Sequence, residues 1–464
     1  MKVRNIIMMA GVVAVTSLML ASCNLYKKYE TPADTPITEE YKKAVEAGVD
    51  SAAFGNLQWE QVFTDPVLAD LIRKALETNS DIQNAMLNVE AAQARLEGAK
   101  LSFLPSVALA PSGNVSKFFV DGVNWGRTYN LPLQVSWEAD IFGKLLNSKR
   151  GAKMALMQSE AYAQAVRSQI ICAVANTYYA IAYVQGEIQL SRATAENWKQ
   201  SVQTMRDLKE SGKLNESAVV QSEAQYYGIL ASITDLEVSL DELNNTMSML
   251  LDCMPQKWTV SPEAALEVPS IYRDGVPMRE LAARPDVRAA EYSLAAAYYT
   301  TAGARAAFYP SLNIALTGGF TNSVGNAIMN PGKFFIDLAG SLVAPLFSRG
   351  ANRANLKVAK AQQQQALNNF EDAILSASAE VSNAMVLYSK TLEKEDLLKK
   401  QCESLEKSVE ITQTLLSLGS FNTTYLEVLT AQTNLLSARM GLLTCQNNKA
   451  RAIIGLYQSL GGGR

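Results

Sequence analysis

The chain has 464 residues, 48% of them hydrophobic and 19% charged, with 42 Lys and Arg against 45 Asp and Glu and a formal charge of −3. That balance excludes an electrostatic grip on nucleic acid, which requires a basic surface. Histidine is absent, which removes the commonest general base and the commonest imidazole metal ligand, so catalysis would have to run through carboxylates, Lys, Cys or Ser, and no metal site or cofactor is expected.

In chain order, Lys2 and Arg4 precede an apolar run from Ile6 to Ala21, the layout of a secretory signal over residues 1–22. The run is too short for a transmembrane helix. Leu20-Ala21-Ser22-Cys23 resembles a bacterial lipobox, so Cys23 is expected to be acylated and to begin the mature chain, with 23–64 an extended anchor segment. Asn24 follows where an inner-membrane retention signal carries Asp. The expected location is therefore the outer membrane of a Gram-negative bacterium, lipid-anchored through Cys23. Cys172, Cys253, Cys402 and Cys445 are far apart and in no C-x-x-C spacing, which reads as buried apolar thiols.

The rest of the chain is written twice. At a separation of 205, Asp81 matches Asp286, Gly98-Ala99 matches Gly303-Ala304, Phe103 matches Phe308, Pro105-Ser106 matches Pro310-Ser311, and Phe142 matches Phe347. The separation then becomes 207, aligning Gly212 with Gly419, Asn215 with Asn422, and Ala224-Gln225 with Ala431-Gln432. The repeats are placed at 65–255 and 277–457, joined by a proline-bearing linker over 256–276 and followed by a tail over 458–464.

Within each repeat a period of two marks strands. Tyr129, Leu131, Leu133, Val135, Trp137, Ala139 and Ile141 alternate with polar residues from Thr128 to Asp140, and Leu312, Ile314 and Leu316 do the same in the second copy. This predicts one two-stranded hairpin per repeat, over 105–142 and 310–347. After them, residues 133–254 and 346–464 contain no proline, which predicts long helices. Glycine turns at Ser211-Gly212-Lys213-Leu214 and Leu418-Gly419-Ser420-Phe421, each followed by an Asn suited to an N-cap, fold them into helical hairpins over 147–250 and 351–456 with tips near 212 and 419. Ile229, Ile233, Leu236, Leu240, Leu243, Met247 and Leu250 step by 4 and 3, a coiled-coil seam, and Leu398, Cys402, Leu405, Val409 and Thr412 repeat the rhythm. Four strands cannot close a membrane barrel, whose smallest size is about eight, so several copies are expected to complete one.

At this point the residues resemble the TolC-type outer membrane efflux proteins, in the lipoprotein branch that serves resistance-nodulation-division pumps. The resemblance rests on Arg284-Pro285-Asp286-Val287-Arg288-Ala289-Ala290-Glu291, Phe308-Tyr309-Pro310-Ser311-Leu312, Trp137-Glu138-Ala139-Asp140-Ile141-Phe142-Gly143-Lys144 and Ala344-Pro345-Leu346-Phe347-Ser348-Arg349-Gly350, in this order within the repeats. It implies a mainly α fold with a transmembrane β-barrel: a homotrimer whose twelve strands form one barrel continuous with a twelve-helix periplasmic tunnel. The implied function is a passive exit duct for small toxic compounds or antibiotics, working with a periplasmic adaptor and an inner membrane transporter and contacting outer membrane lipid. A lipid-anchored coiled-coil tether and the duct of a type I protein secretion system are the other readings.

By position in the family, the adaptor meets the tips, at Gly212, Lys213 and Leu214 and at Gly419, Ser420 and Phe421. The glycines serve equally as helix caps. The closed aperture falls just behind, at Val219 and Glu223 in the first copy and Leu426, Glu427 and Thr430 in the second. Many relatives carry Asp where this chain has Thr430, so an acidic ring does not carry over there. Glu223, its counterpart in the first copy, could supply three carboxylates instead, and a solvated helix face accounts equally for Glu223 and Glu427.

Overall fold

The computed structural model describes residues 27–47, 57–118, 124–212, 215–261, 278–321, 333–417 and 425–463. They divide into two compact units, one built from residues up to Ala33, Leu87–Glu160 and Arg288–Asp372, the other from Asp34–Met86, Ala161–Val287 and Ala373 onward.

The elements run α1 Pro36–Ala47, α2 Trp59–Val62, α3 Pro66–Thr78, α4 Ser80–Leu101, β1 Ser106–Leu109, β2 Ser112–Phe118, β3 Asn124–Ala139, α5 Lys144–Glu210 and α6 Glu216–Leu250, followed by α7 Met278–Ala282, α8 Pro285–Ala306, β4 Ser311–Thr321, β5 Lys333–Val343, α9 Ala351–Ser417 and α10 Tyr425–Ser459. The two copies match in length: α5 and α9 have 67 residues each, about 100 Å of helical rise, and α6 and α10 have 35 each. Gly143 and Gly350 hold left-handed φ angles of 71° and 80° at the start of α5 and α9. They lie 207 apart, so the two extra residues of the second copy enter between Phe347 and Gly350.

Segment 23–64 is not simply extended, contrary to expectation. Pro36 starts α1, the Thr35 and Thr38 hydroxyls bond to each other at 3.0 Å, and Tyr41 and Ala44 are buried. Tyr29 donates its backbone N–H to the Tyr299 hydroxyl at 3.1 Å, and the Thr31 hydroxyl donates to Glu291 at 2.7 Å.

The strands form a single antiparallel sheet in the order β1-β3-β4-β5, with β2 continuing the β1 edge along β3. The first repeat's hairpin therefore has a broken outer arm, where one continuous strand was expected. Pro111 has no N–H to give the ladder, and Ala110 instead donates to Pro132 O at 3.1 Å. Hairpin pairs with hairpin through β3 and β4, from Asn130 opposite Thr321 to Ala139 opposite Leu312. Gly319 permits that approach, since a Cβ there would sit 2.2 Å from Leu131 O. Leu346 and Phe347 lie beyond the end of β5 and are strongly exposed.

In the other unit, the seam on α6 points inward. Ile229, Ile233 and Met247 are buried, and Leu236, Leu240, Leu243 and Leu250 are half-buried. Ile229 and Ile233 join Ala195 and Trp198 of α5 and Leu429 of α10 in one cluster, flanked by Tyr226, Tyr425 and Leu436. Asn79 ties the N-terminal helices to this unit by donating to Leu250 O at 3.0 Å.

Candidate functional site

The first tip is built as a helix cap. Ser211 donates to Asp207 O at 3.1 Å, Gly212 donates to Lys209 O at 2.9 Å, and Gly212 takes φ +73°, the left-handed region where a Cβ is costly. Asn215 then caps α6 by accepting from Ala218 N at 3.2 Å. Lys213, Leu214, Gly419, Ser420 and Phe421 lie outside the described residues, as does Cys23.

Behind the tip the five residues expected at an aperture separate into two groups. Val219 is 4% exposed, so it packs within the hairpin instead of meeting solvent. Glu223 accepts from Arg206 on α5 at 2.5 and 3.2 Å, an intrachain pair that its sequence neighbourhood does not reveal. Lys209 pairs with Glu216 one turn nearer the tip. On α10, Leu426, Glu427 and Thr430 are all exposed, and the Thr430 hydroxyl donates back to Leu426 O at 2.7 Å.

Further from the tips, two ionic networks, centred on the buried Glu395 and Arg284, hold the second hairpin, and the sequence reading missed both. Glu395, with a side chain 10% exposed, accepts from Lys449 at 3.0 Å and from Lys399 at 2.8 Å. Burial opposes its charge, but the two ammonium groups outweigh it and hold the carboxyl below its ordinary range. Arg284 is 5% exposed and donates to Asp286 at 3.0 and 2.7 Å, to Glu380 at 2.7 Å and to Ser459 O at 2.7 Å. Burial works against the guanidinium charge, yet the carboxylates prevail and raise its pKa, and Asp286 is held low in return. Four of its five N–H donors are taken, and the cavity of about 530 Å³ beside it is lined by Asp286 and Glu380 as well as by Arg284. Burial pushes the Cys172 thiol up to about 12, which makes it an inert core thiol.

The sheet carries the decisive geometry. On one face, Leu109, Leu133 and Gly318 lie side by side, as do Val107, Val135, Leu316 and Leu338, then Trp137 and Ile314, then Leu312 and Leu342. Leu109, Leu133, Trp137, Leu338 and Leu342 are 40–71% exposed. The opposite face reads Gln134, Thr317 and Asp337, with Glu138 opposite Asn313 and Ser341. An apolar face open to the surroundings, backed by a polar one and ending in unpaired edges at β1/β2 and β5, is the pattern of a barrel segment.

Residues 71–251 and 276–462 match the family described as outer membrane efflux protein. The chain belongs to this family. It is 28% identical over 457 residues to the cation efflux system protein CusC of Escherichia coli, covering 96% of this chain and 97% of that one. It is 27% identical to the probable outer membrane lipoprotein SilC of Salmonella typhimurium over 97% of each chain. Among solved structures it is similar to the outer-membrane channel OprN, with a TM-score of 0.84 at 27% identity over 94% of this chain and 98% of that one. The TolC-like fold expected from the repeats is thus shared, and with it the role of an outer membrane efflux channel.

Proposed function

We propose that this chain is the outer membrane duct of a tripartite efflux pump: a homotrimer, acylated at Cys23, through which an inner membrane transporter and a periplasmic adaptor expel small toxic compounds. The observation that carries it is the two-faced sheet with two open edges. Counting β1 and β2 as one position, each chain supplies four strands, and three copies supply twelve, enough to close a barrel. A second feature supports self-association. Leu375, Val386, Leu397 and Ile411 on α9 are 51–65% exposed and recur at 11, 11 and 14 residues, close to one line along the helix. Such a stripe calls for a neighbouring helix.

In this reading the tips, Gly212, Lys213 and Leu214 with Gly419, Ser420 and Phe421, meet the adaptor. Glu223, Leu426, Glu427 and Thr430 lie near the aperture, with Val219 packed behind them. No residue acts chemically; the duct is passive and the transporter does the work.

The test is conductance in planar bilayers together with trimer mass in unboiled gels. Leu133→Arg places a charge on the lipid face, at about 2 to 4 kcal/mol near mid-bilayer, and should abolish assembly, whereas Gln134→Arg should be tolerated. Equal tolerance of the two, or a monomer without conductance, would defeat the barrel and leave a lipid-anchored tether. Export of a protein substrate by the intact cell would redirect the duct to type I secretion.

A further inference from the structure

All four strand ends on one side of the sheet lead into helices: α4 enters β1, β3 leads to α5, α8 enters β4, and β5 leads to α9. The register puts these ends together, with Ser106 opposite Ser136, Ala139 opposite Leu312 and Ser311 opposite Val343. The junctions therefore form one belt. Its segments, 97–105, 138–153, 302–310 and 344–360, hold ten basic and three acidic residues, a net charge of +7 in a chain whose total is −3.

The placement opposes what the helices alone favour. The first acidic residue of α5 is Glu160 and of α9 is Glu371, while α5 opens with Lys144, Lys149, Arg150 and Lys153, and α9 with Arg353, Lys357 and Lys360. Of these, Lys144 and Arg353 stand in the first turn, where the positive end of the dipole disfavours cations. Two of the three acids are committed: Asp140 accepts from Leu145 N at 3.1 Å and Leu146 N at 2.7 Å, and Glu138 pairs with Lys144 at 2.9 Å. Arg353, Lys357 and Lys360 recur at 4 and 3 residues, one face of the helix, Arg349 lies two residues before its start, and all four are exposed. They form no ion pair with any described carboxylate, nor do Lys153, Lys100 or Arg305. An external anion is what this charge lacks.

Directly against the belt lies exposed apolar and aromatic surface: Leu101, Leu104, Ile141, Phe308, Leu346 and Phe347. Lys149 sits 5.7 Å over the Phe103 ring, and Trp137 Nε1 donates to Phe103 O at 2.9 Å. Arg150 lies 5.8 Å over Tyr299, the residue that also receives Tyr29. Tyr299 is seven residues, about 10 Å of rise, from the end of α8, and Cys23 is six residues from Tyr29, a reach of at most about 20 Å. An acyl chain on Cys23 can thus enter a membrane at the level of the belt.

We infer that the belt is a collar for anionic phospholipid headgroups of the periplasm-facing leaflet of the outer membrane. The inference rests on the proposed membrane barrel. The phosphates neutralise the basic starts of α5 and α9 while the adjoining apolar residues meet the acyl chains.

The test uses the full-length acylated protein in mixed micelles holding equal amounts of dioleoyl phosphatidylglycerol and dioleoyl phosphatidylcholine, with retained lipid counted by native mass spectrometry. The expected preference for phosphatidylglycerol is about five-fold or more, since one basic residue near an anionic surface contributes roughly that factor. It should collapse in about 0.5 M salt, where screening is short-ranged. Replacing Lys153, Arg349, Arg353, Lys357 and Lys360 by Gln should remove it, and exchanging Lys and Arg among them should restore it. If the Gln variant does not assemble, the lipid ratio and salt response of the native protein decide alone. Equal retention of both lipids, unchanged retention in an assembled variant, or competition by millimolar inorganic phosphate would overturn the collar. Altered ion selectivity without altered lipid retention would place the cations in the lumen and overturn it too. Conductance of the same preparation is read separately, so a conducting protein without lipid preference loses the collar and keeps the duct. A lipid-selective protein without conductance loses the duct.

Discussion

The two helical hairpins are copies of one another, yet they are fastened in opposite places. The first, α5 and α6, is pinned at its tip by Arg206 to Glu223 and Lys209 to Glu216, with Arg192 to Glu237 at 2.6 Å further back. At a separation of 207 the counterparts of the two tip pairs are Gln413 with Thr430 and Leu416 with Thr423, all neutral. Among the described residues, which omit 418–424, the second hairpin, α9 and α10, has its cross-links at Glu406 to Arg439, 2.6 Å, and at Glu395 to Lys449. Glu406 lies eleven residues, about 16 Å of rise, before the end of α9. One copy is thus stapled at its end and the other clasped along its shaft. If the proposed duct opens at its tips, the first hairpin carries a restraint there that the sequence of the second does not repeat.

The largest effect should come from supplying that restraint. Cysteines at Gln413 and Thr430 joined by a short bifunctional maleimide should suppress nearly all conductance, while the same tie between positions 206 and 223 should leave it close to native. Equal suppression in both would remove the asymmetry. A milder version grafts the staple: Gln413→Arg with Thr430→Glu should lower open probability several-fold, and about 1 M salt should partly restore it. Conductance of the graft indistinguishable from native at low salt would mean that the pair does not hold the tip.

Glu395 tests the shaft. Its carboxyl is held below its ordinary value of 4.5, so the stability it contributes is fully present above that value and is lost as pH falls through the lowered one. Glu395→Gln should lower the melting temperature at pH 7, by the equivalent of on the order of 1 to 3 kcal/mol, and the gap from native should narrow as pH falls through the lowered value. A gap constant down to pH 3 would assign the loss to packing. The smallest effect belongs to Arg206→Ala. Arg206 is half exposed and solvent screens its pair, so the melting temperature should scarcely move. Hydrogen exchange should nonetheless quicken over 215–223 and not over 425–430.

Much of this was readable from the chain. Glycine followed by Asn marks the tips, and at the first of them Gly212 is left-handed and Asn215 caps α6. Period two marked the strands, and the register of β3 with β4 puts the apolar residues on one face. What escaped depends on neighbours that are distant in the chain. Arg206 and Glu223 are 17 residues apart, and only the register of α5 on α6 brings them together. Glu395 and Lys449 are 54 apart, with the same dependence. The break at Pro111 is legible in principle, since proline cannot serve a ladder, but the clear alternation of the first copy lies along β3 and not along its partner arm. Helix α1 was missed because the segment precedes the repeats and was assigned by its anchoring role, although Pro36 and the spacing of Ile37, Tyr41 and Ala44 already gave a helical start.

The pairing of β3 with β4 also bears on how such a chain came to be. The seam joining the two halves is an ordinary strand ladder, the same kind of contact that β5 offers on one side and β1 with β2 on the other. In the proposed trimer, six half-chains would alternate around the ring, and every boundary between halves would be a ladder whether or not the same polypeptide continues across it. The linker over 256–276 then decides which halves are inherited together, not which strands adjoin. A gene encoding one half could have built the ring as six copies. Duplication and fusion would have kept that circle and freed the two halves to diverge, until one carried the staple at its tip and the other the clasp along its shaft.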